Sequence, residues 1–117
     1  MEVRSREQAE AFTTLDGSTI RVLLDAHQGA RNQSLAEASL DPGQGTTRHR
    51  HPRSEEIYVF LDGGGAMEVE GRTQKVAAGD AVLIPPGARH QLTAGADGAR
   101  FLCACAPPYS DDDTLFD

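Results

Sequence analysis

Turn-forming residues interrupt this chain too often for a long helix to form anywhere in it. They fall at Asp16-Gly17, Asp41-Pro42-Gly43, Asp62 with Gly63 to Gly65, Glu70-Gly71, Gly79-Asp80, Pro85-Pro86-Gly87 and between Gly95 and Gly98. Between them lie short runs rich in Val, Ile, Leu, Thr and aromatics: STIRVLL, QSLAEASL, TTRHRH, EEIYVFL, AMEVE, TQKVA, AVLIP, ARHQLTA and ARFLCACA. Short strands at regular spacing, with no sustained helical period, predict an all-β sandwich or barrel. A short helix is expected at most around Ser5 to Ala11. AMEVEGRTQKVA reads as a hairpin turning at Glu70-Gly71-Arg72. At 117 residues the chain fits one domain, and folding buries roughly two-thirds of the unfolded surface, enough for a core without disulfides.

Composition narrows the function classes. Formal charge is −7 and Lys75 is the single lysine, so nothing favours nucleic acid, whose binding rests on neutralising phosphates with Lys and Arg. The N-terminal MEVRSREQAEAF is charged throughout and has no apolar core of a secretory signal. The apolar runs at 81–84 and 101–106 are too short to span a bilayer. These features predict a soluble cytoplasmic protein without nucleic-acid or membrane partners. Cys103 and Cys105 stand at i and i+2 of one predicted strand and share a face, a geometry poorly suited to a mutual disulfide. They are expected as reduced, half-buried thiols.

The chain has four histidines, and two of them sit one residue apart in TTRHRH. On a strand, side chains alternate, so His49 and His51 project to one face and Arg48 and Arg50 to the other. In EEIYVFL, Glu56 shares a face with Tyr58 and Phe60, while Glu55 points the other way. Ile57, Val59 and Leu61 occupy that second face, so both faces are expected to be buried. A carboxylate inside such a strand is costly unless paired or bound to a metal, which singles out Glu56 over Glu55. His90 follows a Pro-Pro-Gly turn on a returning strand. Three imidazoles and one carboxylate suit Zn, Fe, Ni, Mn or Cu rather than an oxygen-only calcium or magnesium site. The expected cofactor is therefore one divalent transition metal, and with four protein ligands an octahedral ion keeps two positions for small molecules.

Other polar residues carry weaker signals. Tyr58 and Phe60 could line a pocket or serve as core aromatics, and Tyr58 is the candidate catalytic proton donor. Ser34, Ala36 and Ala38 are expected to face inward opposite an outward Glu37. His27 reads as a solvated loop residue. Arg21, Arg31 and Gln33 could meet an anionic substrate, although surface ion pairs are the better expectation for them. The tail PPYSDDDTLFD is expected to lie over the surface or fray.

The same residues resemble a known family. Gly43-x5-His49-x-His51-x4-Glu56-x6-Gly63 is similar to the first cupin motif at every fixed position, and Gly79-x5-Pro85-x-Gly87-x2-His90 to the second. The Asn usual four residues after that last histidine is Ala94 here. Fifteen residues separate Gly63 from Gly79, a short spacing like that of small stand-alone cupins described as RmlC-like or phosphomannose-isomerase-like. The resemblance implies a single-domain jelly roll, the double-stranded β-helix or cupin barrel. Its core would cover about 33–106, with N-terminal strands in 1–32 and a tail at 107–117. It also implies a homodimer and a small-molecule substrate or ligand. Isomerase, cyclase, lyase or dioxygenase chemistry is the expected function, and a non-catalytic ligand sensor or pathway accessory is the alternative.

Overall fold

The computed structural model describes residues 1–117. Seven antiparallel strands account for nearly all of the regular structure: β1 (Phe12–Thr13), β2 (Thr19–Leu24), β3 (Ser34–Leu40), β4 (Glu55–Val69), β5 (Arg72–Ala77), β6 (Ala81–Ile84) and β7 (His90–Ala106). Three single 3₁₀ turns complete it, at Arg6–Gln8, Ala26–Gln28 and Asp111–Asp113. The expected N-terminal helix is the first of these turns.

The strands run in the order β1-β2-β3-β7-β4-β5, with β6 on β4. EEIYVFL and AMEVE, separate in sequence, are one strand, β4, and ARHQLTA with ARFLCACA is β7. These two long strands pair over their whole length and bend together where the register shifts, between Phe60 and Asp62 and between Gly63 and Gly65. Gly63 has φ of 67°, and a Cβ there would stand 2.1 Å from the carbonyl oxygen of Gly98. Only glycine permits that approach. Past the bend, β4 exchanges β6 for β5 as its second neighbour. One strand pair therefore serves two facing layers, which is the jelly-roll arrangement. Hydrogen bonds do not close the sheet into a barrel, since β1 and β5 end the path as free edges.

The core lies between the layers. Phe60 and Phe101 stand opposite each other in the β4–β7 ladder with ring centroids 5.2 Å apart, and Tyr58 packs 4.8 Å from Phe101. Such aromatic pairs add about 0.5–1.5 kcal/mol each beyond area burial. Burial alternates strictly at the start of β4: Glu56, Tyr58 and Phe60 are buried, whereas Glu55 and Ile57 are exposed. The expectation that both faces of this strand are buried is thus corrected. Ile57 is 40% exposed and faces Leu83, 58% exposed, across the β4–β6 ladder, because no layer covers the outside of that sheet.

TTRHRH also departs from expectation. It is not a ladder strand but an extended segment held by isolated bridges, His49 to His90 and Arg50 to Leu115. The period-two facing survives, because extended backbone alternates its side chains whether or not a ladder forms. Glu37 lies on the face opposite Ala36 and Ala38 but is buried rather than solvated. Arg6 grips its two oxygens at 2.9 Å each and Arg100 adds a contact at 3.3 Å. The hydrogen bonds from Arg6 outweigh the effect of burial and hold the Glu37 carboxyl below its ordinary range.

The tail does not fray. Leu115 and Arg50 exchange two backbone hydrogen bonds of 3.0 Å. The buried Asp113 carboxylate accepts from the backbone N–H groups of Arg53 and Ser54, each at 3.0 Å. Of the three consecutive aspartates, Asp111 and Asp112 are exposed and Asp113 is a structural clasp. No helix is long and apolar enough to cross a membrane.

Candidate metal centre

The bridge between His49 and His90 builds the site. Each donates its backbone N–H to the other's carbonyl, at 3.1 and 2.8 Å, so the two residues stand directly opposite with rings on one face. Their ring centroids are 4.3 Å apart, and His51, two residues on, brings a third ring to 4.9 Å from His49. The Pro85–Gly87 turn seats His51 through a 2.8 Å bond from the Gly87 N–H to the His51 carbonyl. Glu56 enters from β4, where it pairs with Ile84 of β6 on one side and Cys105 of β7 on the other.

Hydrogen bonds decide the tautomer of every imidazole. His49 Nδ1 lies 2.7 Å from the Thr47 carbonyl, His51 Nδ1 3.0 Å from that of Asp113, and His90 Nδ1 2.9 Å from that of Ala88. A carbonyl oxygen only accepts, so each Nδ1 carries a hydrogen, and in the neutral ring Nε2 is left with the lone pair. One ring nitrogen from each histidine lies within 4.8 Å of the other two. The three-histidine group is positioned to hold a metal ion, with carbonyls orienting each ring as metal-ligating histidines require.

Glu56 Oε1 stands 3.4 Å from Nε2 of both His51 and His90. Oε1 and His90 Nε2 are buried and have no hydrogen-bond partner. Lone pairs facing a carboxylate oxygen in a dry interior repel unless a cation or a proton lies among them. Burial alone would push the Glu56 carboxyl up; contacts with His51 and His90 overcome it and hold the carboxyl down to about 2. His51 is raised by the same carboxylate despite its burial, and His49 is lowered by burial and by His90. An anion surrounded by imidazole nitrogens, at nearly zero exposure, fits a divalent transition metal by donor type and by burial.

A cavity of about 80 Å³ opens beside the triad. Tyr58 is on its wall, two residues from Glu56 on the same face, and is 3% exposed. Burial drives that phenol well above its ordinary value. Phe60, by contrast, belongs to the core. Ser34, Ala36 and Ala38 line the cavity, as do Cys103 and Cys105, both free thiols. Cys105 Sγ donates to Glu56 Oε2 at 3.2 Å. Arg21 is outside, donating to the Ala9 carbonyl at 2.7 Å, and Arg31, Gln33 and His27 are exposed.

Four contributors were not legible in the sequence. The tail supplies the Asp113 carbonyl, the Thr114 hydroxyl 3.2 Å from His51 Nδ1, and Tyr109, whose ring lies 5.7 Å from that of His51. Asp16, in the β1–β2 turn, brings Oδ2 to 3.8 Å from His49 Nε2. Each sits in a stretch that reads locally as a turn or a solvated acidic run, and only folding brings it to the site.

Residues 36–105 match the cupin domain family. The chain belongs to that family. Among relatives of this cupin, the uncharacterized protein MJ1618 of Methanocaldococcus jannaschii is 40% identical, over 92% of this chain and 88% of that protein. The dimethylsulfoniopropionate lyase DddW of Ruegeria pomeroyi is 35% identical over 69% of this chain. The alignment spans about half of the lyase, 53% of its length. Among solved structures, the polyketide cyclase RemF from Streptomyces resistomycificus superposes with a TM-score of 0.80 at 28% identity, covering 97% of this chain and 89% of the cyclase. At the position where the second cupin motif usually has Asn, Ala94 packs in the core and its N–H donates to the Gln44 carbonyl at 2.9 Å.

Proposed function

We propose that this cupin is a metal-dependent enzyme acting on a small molecule, with His49, His51, His90 and Glu56 holding one ion of Zn, Fe, Ni, Mn or Cu. The observation that carries the reading is the convergence of three imidazoles, two of which bring Nε2 to 3.4 Å from the unpartnered Oε1 of Glu56. A divalent ion held there supplies Lewis-acid polarisation of a substrate oxygen. The protein's own part is to orient three donors through carbonyls, exclude water with the packed tail, and bound a cavity for the substrate. Isomerase, cyclase or lyase chemistry is the favoured class, supported by relatives described as a lyase and a polyketide cyclase. Oxygen activation is the second option, if the ion is redox-active. Tyr58 is the proposed proton donor, the phenol nearest Glu56 on the cavity wall. A homodimer belongs to the proposal and is read by light scattering.

Elemental analysis of anaerobically purified protein is expected to return about one transition metal per chain, removable by chelator. Glu56→Gln should weaken metal affinity at least tenfold, and Glu55→Gln should leave it within twofold. Protein that binds no ion of this group, or equal effects at the two glutamates, would overturn the reading. Tyr58→Phe is expected to lower turnover with metal content unchanged; unaltered turnover removes Tyr58 from the mechanism. The alternative, a non-catalytic sensor or accessory protein, predicts binding without conversion across a broad substrate panel.

A further inference from the structure

The cavity beside the imidazoles carries charge of one sign. Asp16, Asp25 and Glu56 line it, and no lysine or arginine does. The nearby arginines are engaged elsewhere: Arg6 and Arg100 on Glu37, Arg50 on Asp117, Arg48 on Glu68. Asp25 is partly engaged as well, by the backbone N–H and the ring of His27.

Asp16 differs from the other two carboxylates. Its Oδ1 accepts from the Ser18 N–H at 2.9 Å and from the Ser18 hydroxyl at 2.6 Å. Its backbone carbonyl accepts from the Thr47 N–H at 2.8 Å, which ties the turn to the strand segment two residues before His49. The remaining oxygen, Oδ2, makes no hydrogen bond and stands 3.8 Å from His49 Nε2, beyond hydrogen-bond reach. The carboxylate is thus locked by one oxygen while the other is free beside the triad, with its side chain 13% exposed. A fixed acceptor with open lone pairs calls for a ligand that brings a hydrogen, and its charge repels a ligand that is itself an anion.

We propose that Asp16 is the binding residue that selects the ligand of this site. The ligand is a small uncharged molecule bearing a hydroxyl group, which donates its hydrogen to Asp16 Oδ2 while its oxygen faces the three imidazoles. Carboxylates and phosphates are disfavoured, because the three carboxylates outnumber the two charges of the ion and no cationic side chain lines the cavity to meet an anion. The proposal rests on the metal reading above and names the substrate class it implies. A merely structural Asp16 would affect folding or metal retention without altering which ligands bind.

The test uses the full chain loaded with cobalt(II), whose visible spectrum reports ligands entering the metal's surroundings. The probes are azide and acetate, both anions, and glycolamide, an uncharged small molecule bearing a hydroxyl group. Asp16→Asn keeps the oxygen that Ser18 holds and removes the charge. It is expected to tighten azide and acetate tenfold or more and to weaken glycolamide by a similar factor, at unchanged cobalt content. Asp16→Ser serves as a second neutral variant if the first does not fold, and Asp16→Glu should keep the wild-type preference. Dissociation constants that all stay within twofold, or all move in one direction, would overturn the role of Asp16. Wild-type protein that retains no cobalt would overturn the metal reading instead, so the two failures are distinguishable.

Discussion

His90→Ala is expected to give a chain that folds and, on the metal reading proposed above, holds no transition metal. The side chain is 1% exposed and contributes one of three converging nitrogens. Its loss would take one donor from the proposed ion and leave Glu56 Oε1 facing a void. Replacing an orienting group outside the ligand set costs 10–100-fold in metal affinity, and loss of a ligand is expected to exceed that, at about a thousandfold. The fold should survive, because the hydrogen bonds linking residue 90 to residue 49 are made by backbone. A truncated buried ring costs about 3–4 kcal/mol, within the roughly 5–15 kcal/mol that stabilises a domain. His49→Ala and His51→Ala should behave alike. The checks are metal stoichiometry by elemental analysis and far-ultraviolet circular dichroism. Collapse of the β spectrum in step with metal loss would assign the ion a structural role.

Asp113→Ala should destabilise the protein more than any other single change in the tail, and weaken metal binding from a distance. The carboxylate is the partner of two backbone donors, the N–H groups of Arg53 and Ser54, and Ser54 is buried. A buried donor left unmet costs about 1–3 kcal/mol, so the pair is worth about 2–4 kcal/mol, a fall in Tm of roughly 10 °C. The same residue's carbonyl fixes the tautomer of His51. Releasing the tail therefore loosens one ring, and metal affinity should fall about 10–100-fold. Asp113→Asn, which keeps one acceptor oxygen, should lie between wild type and Asp113→Ala. Thermal melts and chelator competition report the two effects. An unchanged Tm together with unchanged metal affinity would show that the tail is a passive cover.

The metal-ligand candidates were legible because their signals are local. Two imidazoles at i and i+2 share a face in any extended backbone, and Glu56 was distinguished from Glu55 by parity alone. Burial follows that parity, with Glu56 at 4% exposure and Glu55 exposed. The outer face of β4 could not be read the same way, since Ile57 carries the same apolar signal whether or not another layer covers it. Glu37 reads as outward by parity and is so placed, yet Arg6, thirty-one residues away, buries it. Asp113 lies in a tail expected only to cover the surface or fray, and its partners lie 59 and 60 residues back.

Alternation and turn chemistry, both properties of a few neighbouring residues, were enough to settle the all-β class and the shared facing of His49 and His51. Tertiary structure alone decided that β4 and β7 each run unbroken through a glycine bend, that the sheet stays open between β1 and β5, and that the tail and Asp16 join the site. The reason is range: period-two facing and glycine turns act within one strand, whereas a carbonyl meeting an imidazole sixty residues away depends on how the layers close.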